Sequence, residues 1–302
     1  MGNPIPREVN YLDLNHHYYI VIALKKEFED HLFDRHFFEW QYWQPSLIAF
    51  FAFSFAASGI YCFNDIYDVE ADRQHPKKCK RPIASGAISI VQGYVITALC
   101  WLVSAGLLLT DLFVLGNQTW LWVIILSYVV MNLAYSTKLK QIPILDVFII
   151  AIGFVLRVFA GGVNAHIYIS SWIVLMTFLL ALFLAFAKRR DDVVEWEATG
   201  TSRRKGINKY NTAFMNQAMT IVATLTMVCY IMYTISDSVI ERIGNQYLYI
   251  TSIFVLAGII RYLQIAIVDI KSGSPTKILL KDRFIQLCIA GWLIAFAIIL
   301  YV

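Results

Sequence analysis

The sequence predicts an all-α membrane protein with about nine transmembrane helices. Of its 302 residues, 59% are hydrophobic and only 15% are charged, whereas a soluble domain has about 25% charged residues. The mean hydropathy is +0.60, and apolar runs of about 20 residues, long enough to cross a bilayer, recur along the chain. We therefore expect one integral membrane domain spanning residues 1–302. No nucleic-acid partner is expected, because the basic residues lie in loops between apolar runs.

The N-terminal segment, residues 1–43, is the least regular part of the pattern. Its short apolar patch at 18–24 runs directly into the charged stretch KKEFEDHLFD. A charged residue at the centre of a membrane helix costs about 2.5–3.5 kcal/mol. Residues 14–34 therefore fit either a tilted or bundle-buried first helix or an amphipathic helix on the membrane surface. No cleavable signal peptide is expected, because a basic segment followed by an apolar core is missing.

The core bundle is predicted from residue 44 to residue 302. Trp and Tyr cluster at several ends of its apolar runs, as expected at membrane interfaces. The five cysteines are scattered without metal-ligand spacing, so we expect free thiols and no disulfide. The eight predicted spans are 45–66, 88–110, 119–137, 142–161, 169–188, 213–236, 246–269 and 283–302.

The distribution of Lys and Arg predicts the orientation. With nine spans and a cytoplasmic N-terminus, 19 of the 25 Lys and Arg residues fall on the cytoplasmic side, four on the opposite side and two within spans. Positive charge is enriched in cytoplasmic loops. The sequence therefore predicts a multi-pass protein of the cell membrane, by preference a bacterial inner membrane. Its polar loops 67–87, 137–141, 189–212 and 270–282 would all face the cytoplasm.

The stretch 64–82 reads NDIYDVEADRQHPKKCKRP and begins where an apolar run ends. Asp65, Asp68 and Asp72 lie at i, i+3 and i+7, which share one face of an α-helix, with Asn64 beside Asp68. Carboxylates suit Mg²⁺, which binds through one or two of them plus substrate phosphates, and the five cations that follow suit phosphate oxygens. The stretch predicts a Mg²⁺–diphosphate site at the membrane surface. The simpler alternative is a solvated acidic helix end followed by a basic loop.

A second group of charges lies where the predicted span 169–188 ends. If that helix continues, Lys188, Asp192 and Glu195 share one face, with Arg189 next to them. The group would supply a second set of metal or phosphate ligands facing the first. The simpler alternative is a basic flank that only sets the topology.

Three further residues are candidates for binding substrate. Arg157 lies inside a predicted span, where an ionisable residue is a functional candidate, although it could also extend toward the far interface. Tyr135 and Lys138 flank a helix end on the side of the acidic motif. They fit an interfacial tyrosine and a topology-setting lysine equally well.

The run NDIYDVEAD resembles the NDxxDxxxD motif of the UbiA superfamily of membrane prenyltransferases. The segments RPIASGAIS, LAYSTKLKQIPILD, GFVLRVFAGG and AKRRDD are similar to the decaprenyl-phosphate phosphoribosyltransferase branch. The resemblance covers about residues 45–300. It implies nine helices around a central cavity that opens to the cytoplasm. It also implies transfer of a 5-phosphoribosyl group from phosphoribosyl pyrophosphate to a polyprenyl phosphate, with Mg²⁺ as cofactor and membrane lipids as surroundings.

The resemblance also assigns roles to the candidate residues. Carboxylates of the first motif would hold Mg²⁺ against the pyrophosphate, and cations of both motifs would bind phosphate oxygens. The implied metal ligands are Asn64, Asp65, Asp68 and Asp72, and the implied phosphate ligands and clamp residues are Arg73, Lys78, Arg81, Lys188, Arg189 and Asp192.

Two segments depart from the superfamily pattern. The second motif is commonly DxxxD, and the nearest match here is Asp191 with Glu195, which favours the phosphoribosyl branch. Residues 14–22 lack the Arg-Pro and Lys-Asn elements that the superfamily carries on an early helix. Three alternatives stay open: prenyl transfer from a prenyl diphosphate to an aromatic acceptor, a cation-coupled transporter, and a non-catalytic relative.

Overall fold

The computed structural model describes residues 40–74, 78–116, 120–164, 169–200, 206–269 and 275–301. In these ranges the chain is mostly helical and forms no strand, which confirms the predicted all-α class. The α-helices are α1 (Trp40–Tyr67), α2 (Val69–Arg73), α3 (Ile90–Phe113), α4 (Leu121–Thr137), α5 (Leu145–Asn164), α6 (Ser171–Thr199), α7 (Thr212–Thr234), α8 (Asp237–Ile243), α9 (Ser252–Ile267), α10 (Pro275–Lys281) and α11 (Arg283–Tyr301). Short 3₁₀ turns lie at Lys78–Lys80, Leu139–Gln141, Ile207–Lys209 and Gln246–Thr251.

Eight of the described helices correspond to the eight predicted core spans. Seven are long and apolar enough to cross a membrane, where α9 is counted with the 3₁₀ turn before it as Gln246–Ile267, and α4 is apolar but has only 17 residues. The predicted span 246–269 begins with the 3₁₀ turn Gln246–Thr251, which leads into α9. The candidate first helix, residues 14–34, lies outside the described residues, so the count of nine stays a prediction.

Helix α1 is held against α3 by a face of small residues. Ala49, Ala52, Ala56 and Gly59 are spaced three or four apart and are nearly or fully buried. Ser104 donates a hydrogen bond to the carbonyl of Ala52 at 2.8 Å. The indole N–H of Trp101 on α3 donates to the carbonyl of Ala56. Small side chains allow such backbone approach between membrane helices. A Cβ at Gly59 would collide with the indole ring of Trp101, so this position requires glycine.

Two apolar clusters join the helices that follow α3. One joins α1, α4 and α5, and includes Tyr128 and Leu121. The other extends from α5 through α6, α7 and α9, and includes Val193, Met215 and Met219. Because α5 contributes to both clusters, it connects the acidic end of α1 with α6, which carries the second charged group.

Helix α6 corrects the predicted loop at 189–212. It runs without interruption from Ser171 to Thr199 and ends at Gly200, whose φ of +65° is the left-handed conformation typical of a helix end. The helix continues because Arg189 and Arg190 are each only 3% exposed and have polar partners inside the bundle. The predicted loop 270–282 likewise contains α10.

Arg190 fastens α6 to the end of α9. Its guanidinium donates to the side-chain oxygen of Asn216 at 2.5 Å and to the carbonyls of Ala266 and Ile267 at 2.6 and 3.3 Å. Those carbonyls belong to the last turn of α9, where unsatisfied C=O groups and the helix dipole favour a cation. Arg190 was not among the predicted site residues, because a basic residue at the end of a span is typical of a topology signal.

Replacing Arg190 with Met should destabilise the bundle. The change removes charge-assisted hydrogen bonds and leaves buried carbonyls without donors, so we expect the apparent Tm in detergent to fall by about 5 °C. The control is Lys209→Ala at an exposed position, where the shift should stay below about 1 °C. Equal shifts in the two variants would contradict the structural role of Arg190.

Candidate active site

The acidic motif forms a nearly continuous helical ridge at the end of α1. The turn at Asp68 separates α1 from α2, but the amide of Asp68 still bonds the carbonyl of Asn64 at 2.9 Å, and that of Asp72 bonds Asp68 at 2.8 Å. Because this i to i+4 pattern is maintained, the predicted sharing of one face by the three aspartates holds. Asp65 lies within electrostatic reach of both Asp68 and Asp72.

Arg81 binds two of these aspartates at once. Its Nη1 lies 2.7 Å from Asp65 Oδ1 and 2.8 Å from Asp72 Oδ2. Lys78 Nζ lies 3.7 Å from the other oxygen of Asp72. The loop that carries both cations is anchored by Ile83, which packs on Ile66 and Val69 beneath the ridge. Two of the three predicted phosphate ligands of this motif therefore meet the acids directly.

Arg73, the third predicted phosphate ligand of this motif, points elsewhere. Its Nε donates to the carbonyl of Ala84 at 3.4 Å, and its Nη1 lies 3.4 Å from the exposed carboxylate of Glu70. Among the described residues, it forms no hydrogen bond or ion pair with the ridge aspartates. Its predicted role stays a prediction.

Asp68 is paired with a lysine that sequence reasoning missed. Lys140 Nζ lies 2.5 Å from Asp68 Oδ1 and 5.0 Å from the ring centre of Tyr67, whose hydroxyl donates to the carbonyl of Thr137. The predicted residue was Lys138, which is exposed at the end of α4. The 3₁₀ turn Leu139–Gln141 carries Lys140 back over α1. Two lysines two residues apart gave no signal that distinguished them.

The second charged group is centred on a buried arginine. Arg189 lies 2.9 Å from Asp146 Oδ2 and 2.5 Å from Asp192 Oδ2. The Arg189 and Asp146 side chains are 4% and 3% exposed, whereas Asp192 is 44% exposed. Lys188 lies on the exposed side of α6, and Tyr135 is half-buried near the end of α4. Asp146 was not predicted as a site residue.

The two charged groups meet at a narrow cleft. Lys140, Asp146, Arg189 and Tyr210 all line it, and Lys140 also contacts Asp68. Lys140 is therefore the residue that connects the acidic ridge with the charges of α6.

The backbone around this cleft is tightly constrained. Ile144 has a φ of +69°, a conformation that β-branched residues rarely adopt, and its amide donates to the hydroxyl of Tyr210. That hydroxyl in turn donates to Asp146 Oδ1 at 3.2 Å. Burial raises the pKa of Tyr210, so the hydroxyl keeps its proton at neutral pH. Gly206 has a φ of +89°, and a Cβ there would lie 2.6 Å from the carbonyl oxygen of Gln141.

Arg157 lies deeper in the bundle, on α5. Its Nη2 donates to the hydroxyls of Tyr128 and Tyr61 at 3.0 and 3.3 Å. Its guanidinium carbon lies 4.8 Å from the ring centre of Phe154 and 5.9 Å from that of Phe53. The structure thus places this predicted residue between α1, α4 and α5, and not at the bundle end.

The carboxylates of the ridge fit a Mg²⁺ ion that is shared with a ligand. Among the described residues, no group of three His, Cys, Asp or Glu side chains is arranged to hold a metal. Mg²⁺ needs only one or two carboxylates when water and phosphate complete its shell. Asp65 and Asp68 are 27% and 26% exposed, and Asp72 is 3% exposed. The first two are therefore the accessible ligands, and the four-ligand set that includes Asn64 stays a prediction.

Comparisons with known proteins identify the family. The UbiA prenyltransferase family model matches residues 35–287. The chain is 34% identical to a decaprenyl-phosphate phosphoribosyltransferase of Mycolicibacterium smegmatis, over 82% of this chain and 77% of that protein. It is 32% identical to the protein of that name from Corynebacterium glutamicum, over 84% of this chain and 75% of that protein.

A solved structure shares the fold. A UbiA homolog from Archaeoglobus fulgidus bound to DMAPP and Mg²⁺ superposes with a TM-score of 0.62 at 17% identity, covering 86% of this chain and 88% of that one. The predicted resemblance to the superfamily, and within it to the phosphoribosyltransferase branch, is confirmed. The chain belongs to the UbiA prenyltransferase family.

Proposed function

We propose that the protein transfers a 5-phosphoribosyl group from phosphoribosyl pyrophosphate to a polyprenyl phosphate and releases pyrophosphate. The observation that carries the proposal is the alternation of partly exposed carboxylates and cations at one end of a membrane bundle: Asp65 with Arg81, and Asp68 with Lys140. Such an array suits a metal–diphosphate complex. The names of the relatives at 34% and 32% identity support the phosphoribosyl donor.

Asp65 and Asp68, with Asn64 beside them, would hold Mg²⁺. The bound ion would neutralise part of the charge that develops on the departing diphosphate. Asp72 is nearly buried, and both of its oxygens face cations. Its role in this proposal is to position Arg81 and Lys78 beside the metal ligands.

Cations of the chain would bind the remaining diphosphate oxygens. Arg81 and Lys78 contact Asp65 and Asp72, and Lys140 contacts Asp68. Asp192 and Asp146 hold Arg189 at the cleft that Lys140 also lines. Fixed cations that need no rearrangement stabilise a leaving anion most effectively.

The reaction requires little proton transfer. A phosphate oxygen of the acceptor forms a bond to C1 of the ribosyl group as the bond between C1 and the pyrophosphate oxygen breaks. The acceptor is already an anion at neutral pH, so the chain need not supply a strong general base. We propose that this takes place at the cytoplasmic face of the cell membrane, an orientation that the Lys and Arg count of 19 to four supports.

Prenyl transfer from a prenyl diphosphate is the second candidate. A solved homologue bound to DMAPP and Mg²⁺ favours it, and the acidic ridge would serve both reactions. Membrane preparations supplied with a phosphoribosyl donor labelled in the ribose distinguish the two. Label entering the lipid fraction only with Mg²⁺ and polyprenyl phosphate supports phosphoribosyl transfer. Label remaining in water, while a labelled prenyl diphosphate is consumed, supports prenyl transfer.

Replacing Asp65 or Asp68 with Asn should reduce transfer at least about 100-fold, because each loses a charged ligand for the metal–diphosphate complex. The apparent Tm should change little, since both side chains are partly exposed. Initial rates of label transfer provide the measurement. Glu70→Gln is the matched control, since Glu70 belongs to the same segment but its side chain is 82% exposed. Near-normal Mg²⁺-dependent transfer by either Asn variant would refute the site assignment.

Lys140→Met should weaken binding of pyrophosphate in the presence of Mg²⁺ by about tenfold, because one charge-assisted contact is lost. Lys138→Met should leave the affinity within about twofold, since Lys138 is exposed and its side chain forms no hydrogen bond or ion pair with the described residues. Titration calorimetry in detergent measures both constants. A larger loss for Lys138→Met would reverse the assignment of the two lysines.

A further inference from the structure

A stripe of polar residues runs along α1 away from the acidic ridge. Ser54, Ser58, Tyr61, Asp65 and Asp68 are spaced four, three, four and three residues apart, so they lie on one face of the helix. Ser58 and Tyr61 are exposed, and Tyr61 is 60% exposed. A polar and accessible face on an otherwise apolar membrane helix indicates a path for polar ligands.

Arg157 lies beside the third position of this stripe. Tyr61, one of its two hydroxyl partners, is four residues from Asp65, which is one helical turn or about 6 Å along the axis. The other partner, Tyr128, is held by the apolar cluster between α1 and α4. The guanidinium is thus fixed close to the acidic ridge, but one turn further from the end of α1.

The described residues supply no carboxylate that neutralises the charge of Arg157. None lies at ion-pair distance within the described ranges, and the hydrogen bonds that Arg157 makes there use only Nη2. Tyrosine hydroxyls and ring faces are neutral partners. The Nε and Nη1 donors therefore remain for an acceptor that is not part of the described chain. A cation at membrane depth is costly unless it meets an anion.

We propose that Arg157, Tyr61 and Tyr128 form a second anion subsite, which binds a phosphate monoester one helical turn deeper than the diphosphate. A guanidinium with free N–H donors suits phosphate oxygens, and the tyrosine hydroxyls can donate as well. Because this subsite uses side-chain donors, its ligand binds without Mg²⁺.

The identity of the ligand rests on the proposed function, which offers two sources of this chemistry. The phosphoribosyl donor carries a 5-phosphate in addition to its diphosphate, and the lipid acceptor carries its own phosphate. A prenyl diphosphate carries no phosphate group besides its diphosphate. If the subsite binds the 5-phosphate, Arg157 also selects the phosphoribosyl donor over a prenyl donor.

The binding test uses the purified full-length protein in detergent with EDTA. Ribose 5-phosphate represents the donor and farnesyl phosphate represents the acceptor. We expect the wild type to bind one of them, and Arg157→Gln to weaken that binding by about tenfold to 100-fold. Arg242→Gln is the control, because Arg242 lies on α8, which follows the end of α7 that is far from Tyr210 and the cleft. The affinity of this variant should stay within about twofold.

Steady-state kinetics then identify the source. A rise in KM for the phosphoribosyl donor alone, matched by lost ribose 5-phosphate binding, assigns the subsite to the donor. A rise in KM for polyprenyl phosphate alone, matched by lost farnesyl phosphate binding, assigns it to the acceptor. The proposal is overturned if the wild type binds neither monoester at millimolar concentration, or if Arg157→Gln binds both as the wild type does.

Two further measurements keep the test decisive. If Arg157→Gln does not fold, Arg157→Lys replaces it. Lysine keeps the charge but lacks the planar guanidinium, so we expect the affinity for the monoester to fall about tenfold. Unchanged affinity overturns the proposal. The wild type could bind a monoester and transfer no phosphoribosyl group, while the Arg157 variant loses that binding. In that case the proposed function fails and the subsite stands.

Discussion

The site depends on the pairing of Arg81 with Asp65 and Asp72. Three carboxylates along one helical face repel one another, and Asp72 is removed almost completely from water. A single guanidinium nitrogen at 2.7 and 2.8 Å from two of them offsets that repulsion. The pairing also fixes the loop after α2 over the end of α1. It acts together with the packing of Ile83 and the backbone hydrogen bonds of the ridge.

Buried charges with polar partners also organise the other half of the bundle. Arg189 is neutralised by Asp146 and Asp192, and Arg190 donates hydrogen bonds to the carbonyl end of α9. Adjacent arginines on α6 thus serve different purposes, because successive helical positions point about 100° apart. One completes the cleft near the ridge, and the other joins three helices. Two of the charges on which the predicted orientation rests therefore also hold helices together.

Sequence patterns predicted the helices and the acidic ridge well, since both rest on local periodicity. An apolar run of about 20 residues needs no tertiary information, and neither does the i, i+3, i+7 spacing of the aspartates. The partners of those aspartates could not be predicted equally well. Lys140 reaches Asp68 only because a 3₁₀ turn reverses the chain, and Lys138 offers the same chemistry two residues earlier.

The buried charges were harder still to predict. Arg189 was predicted as a site residue, but its burial depends on α5 placing Asp146 opposite α6. Arg190 was not singled out, because its partners are backbone carbonyls with no sequence signature. The left-handed conformation of Ile144 breaks a local preference for the sake of the contact with Tyr210, so no propensity could have predicted it.

The close packing of α1 on α3 has a consequence at the other side of α1. Gly59 and the alanines before it determine the rotation of α1 about its own axis, because the indole ring of Trp101 fits only where a side chain is missing. The polar stripe lies on a different side of the same cylinder. A side chain added at Gly59 would rotate α1 about its axis and change the direction of its carboxylates, although Gly59 contacts none of them.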